Sequence, residues 1–382
     1  MAIAPDRRDA ILTHIRISQS KTAKEVYVTA MPRQAGPASA QAERLLAGVA
    51  EVLRRKGVRP VQERFFGTEE GVRAAADARP AAYGDLADAV PPDLLTVPEG
   101  PSGPLAAVQV HAVECDEPPA ILTDDETPCG RMLHLNGVAY VTLSGLTAAE
   151  AGSNTDQARA LFDKATRLLR RVGGGMKSVA RTWLWLGDIL QWYDAFNAVR
   201  NRFFTESGLI DDTAGRTQLP ASTGIGVGPA GEAVCALDVV AMIGPKASIS
   251  YHHAAGMQES AYEYGSAFSR VARASTPGGT SVYVSGTAAI DEAGLTCHAG
   301  DAAAQIDMTL ANVRACLKDM DCGDEEVVHA IAYSKTPEIQ ALFDSTYLPQ
   351  LGWPCVSVLG DVCRDDLLFE LEATACAGAR SA

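Results

Sequence analysis

Three short runs of alternating β-branched and aromatic residues recur along the chain: VYVTA at 26–30, AYVTL at 139–143 and VYVSG at 282–286. Each reads as a strand. After each comes a loop, then a segment whose apolar residues return at helical spacing, over 41–57, 156–175 and 303–323. A glutamine stands near the start of each segment: Gln41, Gln157 and Gln305. Glycine closes each one, the expected helix stop. A second β-rich stretch follows. In the last repeat VVHAIAYS (327–334) precedes a helix over 337–352, then CVSVLG and LLFELEATA. In the middle repeat SVARTWLWL (178–186) precedes a helix over 192–208, then LPASTGIG and AVCALDVVAMI. The first repeat reads as shortened and ends in LAAVQVHAV (105–113).

The order hairpin, helix, strand, helix, two strands is therefore written twice in full and once trimmed. This period is too long for a solenoid repeat, so the pattern predicts small α+β domains in tandem, each sheet with helices on one face. The expected divisions are 1–125 (a degenerate copy), 126–250 and 251–382. Three sheets, each with one bare face, can bury those faces against one another around a pseudo-threefold axis. The chain would then build a trimer-like body from one polypeptide, alone or as a low-order oligomer.

The chain has 382 residues, enough for three such cores. A net charge of −14 and the lack of any Lys/Arg run exclude a phosphate-tracking surface, so no nucleic-acid partner is expected. No apolar run reaches membrane-spanning length, and the N-terminal MAIAPDRRDAIL lacks the apolar core of a signal peptide. A cytoplasmic protein is expected. Nine cysteines without a CxxC pair read as free, mostly buried residues rather than disulfides or a zinc site. His252 and His253 are adjacent on an extended segment and point to opposite sides, so they cannot share an ion. No metal and no cofactor is expected.

The candidate chemistry lies in LLFELEATA. Strand alternation puts Leu367, Phe369 and Leu371 toward the helices and Leu368, Glu370 and Glu372 toward a cleft between repeats. Two carboxylates at such spacing lie ~7 Å apart, and in a poorly solvated cleft at least one is pushed toward the protonated form. A carboxylic acid still protonated near neutral pH can deliver a proton to the carbon of an enol ether. The other reading is that both glutamates pair with arginines and only hold the repeats together. At the matching position the middle repeat has Asp238 and the first has His111, and neither has the doublet. One cleft is therefore expected to be competent.

The stretch VSGTAAIDEAGLTCHAGDAAAQIDMTLANVRACL (284–317), the late proline of WPCVSVLG and the terminal ELEATA resemble the RidA/YjgF/UK114 superfamily, whose members are trimers with sites between subunits. The chain is most similar to the chorismatase branch. The similar stretches are ARTW (180–183), YDAFNAVR (193–200), PASTGIG (220–226), YGSAFSRV (264–271), SGTAAI (285–290) with the turn at His298, and VCRDDLLFELE (362–372). They span about residues 130–376 in the family's order. The resemblance implies tandem RidA-like (chorismate-mutase-like) domains. It also implies hydrolysis of the enolpyruvyl ether of chorismate, releasing pyruvate and a dihydroxycyclohexadiene carboxylate or a hydroxybenzoate. Glu370 matches the family's proton donor, and Glu372 matches the glutamate used by RidA enzymes. Arg270 and Arg181 match arginines that hold carboxylates, a task suited to the guanidinium fork. Lys335 falls where the family has Arg and would act as a point charge. Cys363 stands where a cysteine is associated with the 3-hydroxybenzoate route. Tyr264 and Ser269 are expected beside the substrate, whereas Arg200 reads as a solvated surface charge.

Some features depart from the family. The YGSAFSRV loop is shorter, Ser269 replaces a very small residue, and WLWLGDILQWYDAFN is more apolar than its counterpart. Two other functions stay open. A RidA-type enamine/imine hydrolase would want an Arg after the late proline, where this chain has Pro354-Cys355-Val356 and, in the middle repeat, Pro220-Ala221-Ser222. A non-catalytic small-molecule binder could use the same fold.

Overall fold

The computed structural model describes residues 11–211 and 216–382. The first repeat runs β1 (Ile11–Gln19), β2 (Lys24–Pro32), α1 (Ala38–Lys56), β3 (Arg59–Gly67), α2 (Glu69–Tyr83), β4 (Asp93–Thr96) and β5 (Leu105–Val113). The second runs β6 (Ala120–Asp124), β7 (Thr127–Leu135), β8 (Val138–Leu146), α3 (Asn154–Arg171), β9 (Val179–Leu186), α4 (Tyr193–Glu206), β10 (Ala221–Ile225) and β11 (Cys235–Ile243). The third runs β12 (Ile249–His252), β13 (Val271–Thr276), β14 (Gly279–Ala288), α5 (Ala302–Asp319), β15 (Val327–Ser334), α6 (Pro337–Leu342), β16 (Cys355–Leu359) and β17 (Phe369–Cys376).

All three repeats share one sheet topology. The orders are β4-β3-β5-β2-β1, β10-β9-β11-β8-β7-β6 and β16-β15-β17-β14-β13-β12. The strands flanking the second helix are parallel and the rest are antiparallel. Each helix layer closes its own apolar core on one sheet face. The other faces meet in a shared core that draws Phe66 from the first repeat, Trp185 from the second and Tyr333 from the third, all buried. This is the trimer-like packing that the bare faces demand.

The first repeat is complete rather than trimmed. Its second helix, EEGVRAAADARPAAY, is rich in alanine, so few large side chains mark its periodicity, and β4 is four residues long. The changes of sheet also come earlier than expected. Residues 125–126 form the β6–β7 turn, where Asp125 and Glu126 have φ of 44° and 70°, so the second sheet already begins at Ala120. The third begins at Ile249.

The bulges correct the alignment of the repeats. In the third repeat Val284 pairs with Ala373 and Thr287 with Leu371, leaving Ser285 and Gly286 in a bulge. In the second, Leu143 pairs with Val239 and Leu146 with Leu237, leaving Ser144 and Gly145. The counterpart of VYVSG is therefore VTLSG at 141–145, two residues beyond AYVTL. A slip of two keeps every side chain on the same face, which is why the pattern hid it.

The three glutamines do one job. The Gln41 amide oxygen accepts from Leu105 N at 3.2 Å, that of Gln157 from Val234 N at 3.1 Å and that of Gln305 from Leu368 N at 2.8 Å. Each ties the start of the first helix to the entry of the last strand. That strand carries the cleft carboxylates.

Candidate functional site

The cleft between the second and third sheets is stitched by backbone. Ala221 bridges to Ser269 and Gly226 to Asp361. The Ser285 hydroxyl accepts from Ser222 N at 2.8 Å and donates to the Ser269 carbonyl at 2.6 Å. Into this cleft β17 sends Glu370 and Glu372, on one face as alternation requires. The alternation does not extend back to Leu367. The strand begins at Phe369 after a turn, so Leu367 joins the shared core and Leu368 packs toward the helices, the reverse of the expected order.

The two glutamates have different surroundings. Glu372 takes a 2.5 Å ion pair from Arg181 Nη2, a 2.8 Å bond from Trp183 Nε1 and a bond from the Thr223 hydroxyl. Its carboxylate is filled by donors of the second repeat and does not line the pocket. Glu370 has no ion pair among the described residues. It is buried, and burial together with the charge of Glu372 pushes its pKa up to about 8, against the smaller downward pull of Arg181 and Arg270. Its carboxyl lies over Gly286, where a Cβ would stand 2.0 Å from Glu370 Oε1. A side chain at 286 would displace the Glu370 carboxyl.

Glu370 lines a small pocket at this cleft. The pocket has an apolar side with Phe268, Ala288 and Ile290 and a cationic side with Arg200, Arg270 and Arg364. Arg270 Nε donates to the Glu259 carbonyl at 3.0 Å, Arg200 Nη2 to Asn197 Oδ1 at 2.7 Å and Arg364 Nη1 to the Gly294 carbonyl at 2.6 Å. Cys363 and Tyr193 complete the wall. Burial and the neighbouring Glu370 push the Cys363 thiol up to about 12, and burial with Cys363 pushes the Tyr193 phenol to about 12, so both stay protonated. The set places one buried carboxyl beside three guanidiniums and an aromatic wall.

The structure brings together Glu370, Cys363 and Arg270 of the expected residues. It places others elsewhere. Arg181 is committed to Glu372 and lies outside the pocket wall. Lys335 Nζ donates to the Asp365 carbonyl at 2.7 Å and braces the loop before β17. The Ser269 hydroxyl donates to the Leu219 carbonyl at 2.6 Å and serves the interface. Tyr264 ends a short turn whose backbone is described, but its side chain lies outside the described residues. Arg200 is buried, not a surface charge. Tyr193, Phe196, Asn197 and Arg200 recur at i, i+3, i+4 and i+7, and that spacing was the signal for a shared inward face. Arg364 follows Cys363 directly and was legible only by adjacency. His298 is exposed in its turn, away from the pocket.

The matching positions of the other two repeats carry no glutamate doublet. Asp238 holds the place of Glu372, opposite Trp183 as Glu372 is opposite Ile331. It pairs with Arg64 at 3.1 Å and accepts from Trp185 Nε1 at 3.1 Å. Asp93 beside it is held protonated, its pKa raised well above the usual range by burial and then by Asp238. In the first repeat the bulge puts Gln109 at this place, and His111 falls two residues on, paired with Glu25 at 3.0 Å and stacked on Tyr27. Alanine stands where Glu370 would be in both (Ala236 and Ala107). Among the described residues no group of His, Cys, Asp or Glu is arranged to hold a metal ion, and no helix is long and apolar enough to cross a membrane.

No protein-family model matches the chain, and no curated protein matches it. Among solved structures it is similar to a crystal structure of chorismatase, with 18% identity and a TM-score of 0.59 over 96% of this chain and 98% of that one. Single-domain proteins match one third of it. A putative endoribonuclease L-PSP from Entamoeba histolytica covers 34% of this chain and 98% of its own, with 16% identity and a TM-score of 0.29. A YjgF/YER057c/UK114 family member from Mycobacterium tuberculosis covers 34% and 98%, with 20% identity and a TM-score of 0.27. The chain thus shares the fold of that chorismatase structure along nearly its whole length, as three tandem α+β repeats.

Proposed function

We propose that the protein is a cofactor-free, chorismatase-like enzyme acting on the enolpyruvyl ether of chorismate or a closely related cyclic dicarboxylate. One observation carries the reading: Glu370, the one cleft glutamate among the described residues that lines the pocket, shares it with Arg200, Arg270, Arg364 and Phe268, and burial with the charge of Glu372 raises its pKa to about 8. In this scheme Glu370 gives its proton to the methylene carbon of the enol ether. The adjacent carbon becomes an oxocarbenium centre, which the Glu370 carboxylate stabilises. Water adds to that centre and returns a proton to Glu370. The hemiketal then collapses to pyruvate and the ring alcohol. Capture by a ring hydroxyl in place of water leads toward the hydroxybenzoate product, with Cys363 shaping which nucleophile reaches the cation. Arg270, Arg200 and Arg364 hold the carboxylates, and Glu372 stays bound to Arg181, Trp183 and Thr223. The site would work in a cytoplasmic enzyme with no partner but its small substrate.

The test is release of pyruvate from chorismate by the purified protein. Wild type is expected to release it, and Glu370→Gln to lose about 10²-fold or more in rate. Equal rates in both would remove Glu370 as the acid. No pyruvate from either would overturn the activity and shift the reading to an enamine, an imine or a binder.

A further inference from the structure

Thr223, in the PASTGIG stretch, is buried on β10 and uses its whole hydrogen-bonding capacity within the cleft. A hydroxyl has one proton to donate and two lone pairs to accept with. Thr223 donates to Glu372 Oε2. It accepts from Arg181 Nη2 at 2.5 Å and from Gly286 N at 3.0 Å. Gly286 is the residue over which the Glu370 carboxyl lies, and the Thr223 methyl stands 3.1 Å from where a Gly286 Cβ would be. One side chain from the second repeat thus touches the ion pair, the bulge and, through the bulge, the acid.

We propose that Thr223 is a positioning residue for the acid: its hydroxyl holds Glu372 against Arg181 and pins the bulge over which the Glu370 carboxyl lies. Without the hydroxyl, Glu372 loses one of three donors and is freed to shift toward Glu370, while the part-buried bulge amide is left unpaired. The same ladder position in the first repeat supports the assignment. There Asp93, paired with Arg64 as Thr223 is with Trp183, lies against Asp238 and takes a proton itself. A hydroxyl at this position cannot do so. Besides Glu372, the groups around Glu370 are Arg181 on β9, Tyr193 and Arg200 on α4, Arg270 ahead of β13, Tyr333 on β15, and Cys363 and Arg364 on the loop before β17.

The inference rests on Glu370 as the acid for its purpose but not for its measurement. Glutamate labelled with ¹³C at the side-chain carboxyl reports titration directly by NMR without substrate, and Glu370→Gln assigns the signal. Wild type and Thr223→Ser are expected to titrate Glu370 near 8. Thr223→Val, which keeps the shape and loses the hydroxyl, is expected to raise it by about one unit or more, because the Glu372 charge comes nearer. An unchanged or lowered titration in Thr223→Val, or a shift that serine does not rescue, would overturn the proposal. Should Thr223→Val fail to fold, wild type decides: the Thr223 hydroxyl proton is expected to be shielded from solvent exchange and to shift as Glu370 titrates, and free exchange would overturn it. A titration that behaves as expected without pyruvate release would leave the positioning role standing and remove the chorismatase reading alone.

Discussion

Glu370 and Glu372 are two residues apart on one strand, yet their surroundings differ. Three donors fill the carboxylate of Glu372, while Glu370 is buried over a glycine at the pocket wall. The sequence showed the doublet and its shared face, because alternation along a strand is a local property. It did not show the division of labour, which depends on Arg181, Trp183 and Thr223 arriving from another repeat. The idea that arginine pairing only holds repeats together fits Glu372 and fails for Glu370. Glu372→Gln makes the coupling measurable. Removing its charge lets the Glu370 pKa fall, so activity lost at alkaline pH is expected to be lost at lower pH. Leaving Arg181 buried without a counter-ion is expected to cost about 3–5 kcal/mol, read by denaturant unfolding. An unmoved pH limb would show that the two carboxylates are not coupled.

Among the elements, β17 carries both cleft glutamates and α5 fixes where it begins. Gln305 Oε1 accepts from Leu368 N, and its amide donates to the Asp366 carbonyl at 2.8 Å, bracketing the turn that releases Glu370 into the cleft. Gln305→Ala is expected to cost about 1–3 kcal/mol by leaving buried backbone groups unpaired and to lower turnover by loosening the strand entry. Gln157→Ala is the control: a similar loss of stability with turnover kept. Equal turnover losses in the two would show a general effect of stability. The glutamines were legible as a repeat, but their partners were not, since the chain between helix start and last strand exceeds sixty residues. The alanine-rich α2 was missed because helix signals read from large apolar residues fail where packing is done by small ones. Arg200 was misread for a related reason: a lone arginine looks solvent-exposed until the helix face that carries it is known to point inward.

The complete molecule has three repeats of one architecture, and among the described residues one cleft carries the glutamate doublet beside a pocket. At the matching position of the second repeat Asp238 pairs with Arg64, and in the first repeat His111 pairs with Glu25. The tandem fold was readable from the order of elements, whereas the Arg64–Asp238 pairing needed packing across repeats. The Glu370→Gln variant is therefore expected to bind one chorismate per chain by calorimetry, and three per chain would contradict a single competent cleft. The most direct measurement is the pH dependence of pyruvate release from chorismate, taken as kcat/KM from neutral to alkaline pH. A reaction that needs the protonated acid falls as pH rises through the Glu370 pKa, so a single descending limb near pH 8 is the expected result, absent from Glu370→Gln. A rate that rises through the same range, or is flat across it, would mean that Glu370 is not the proton donor.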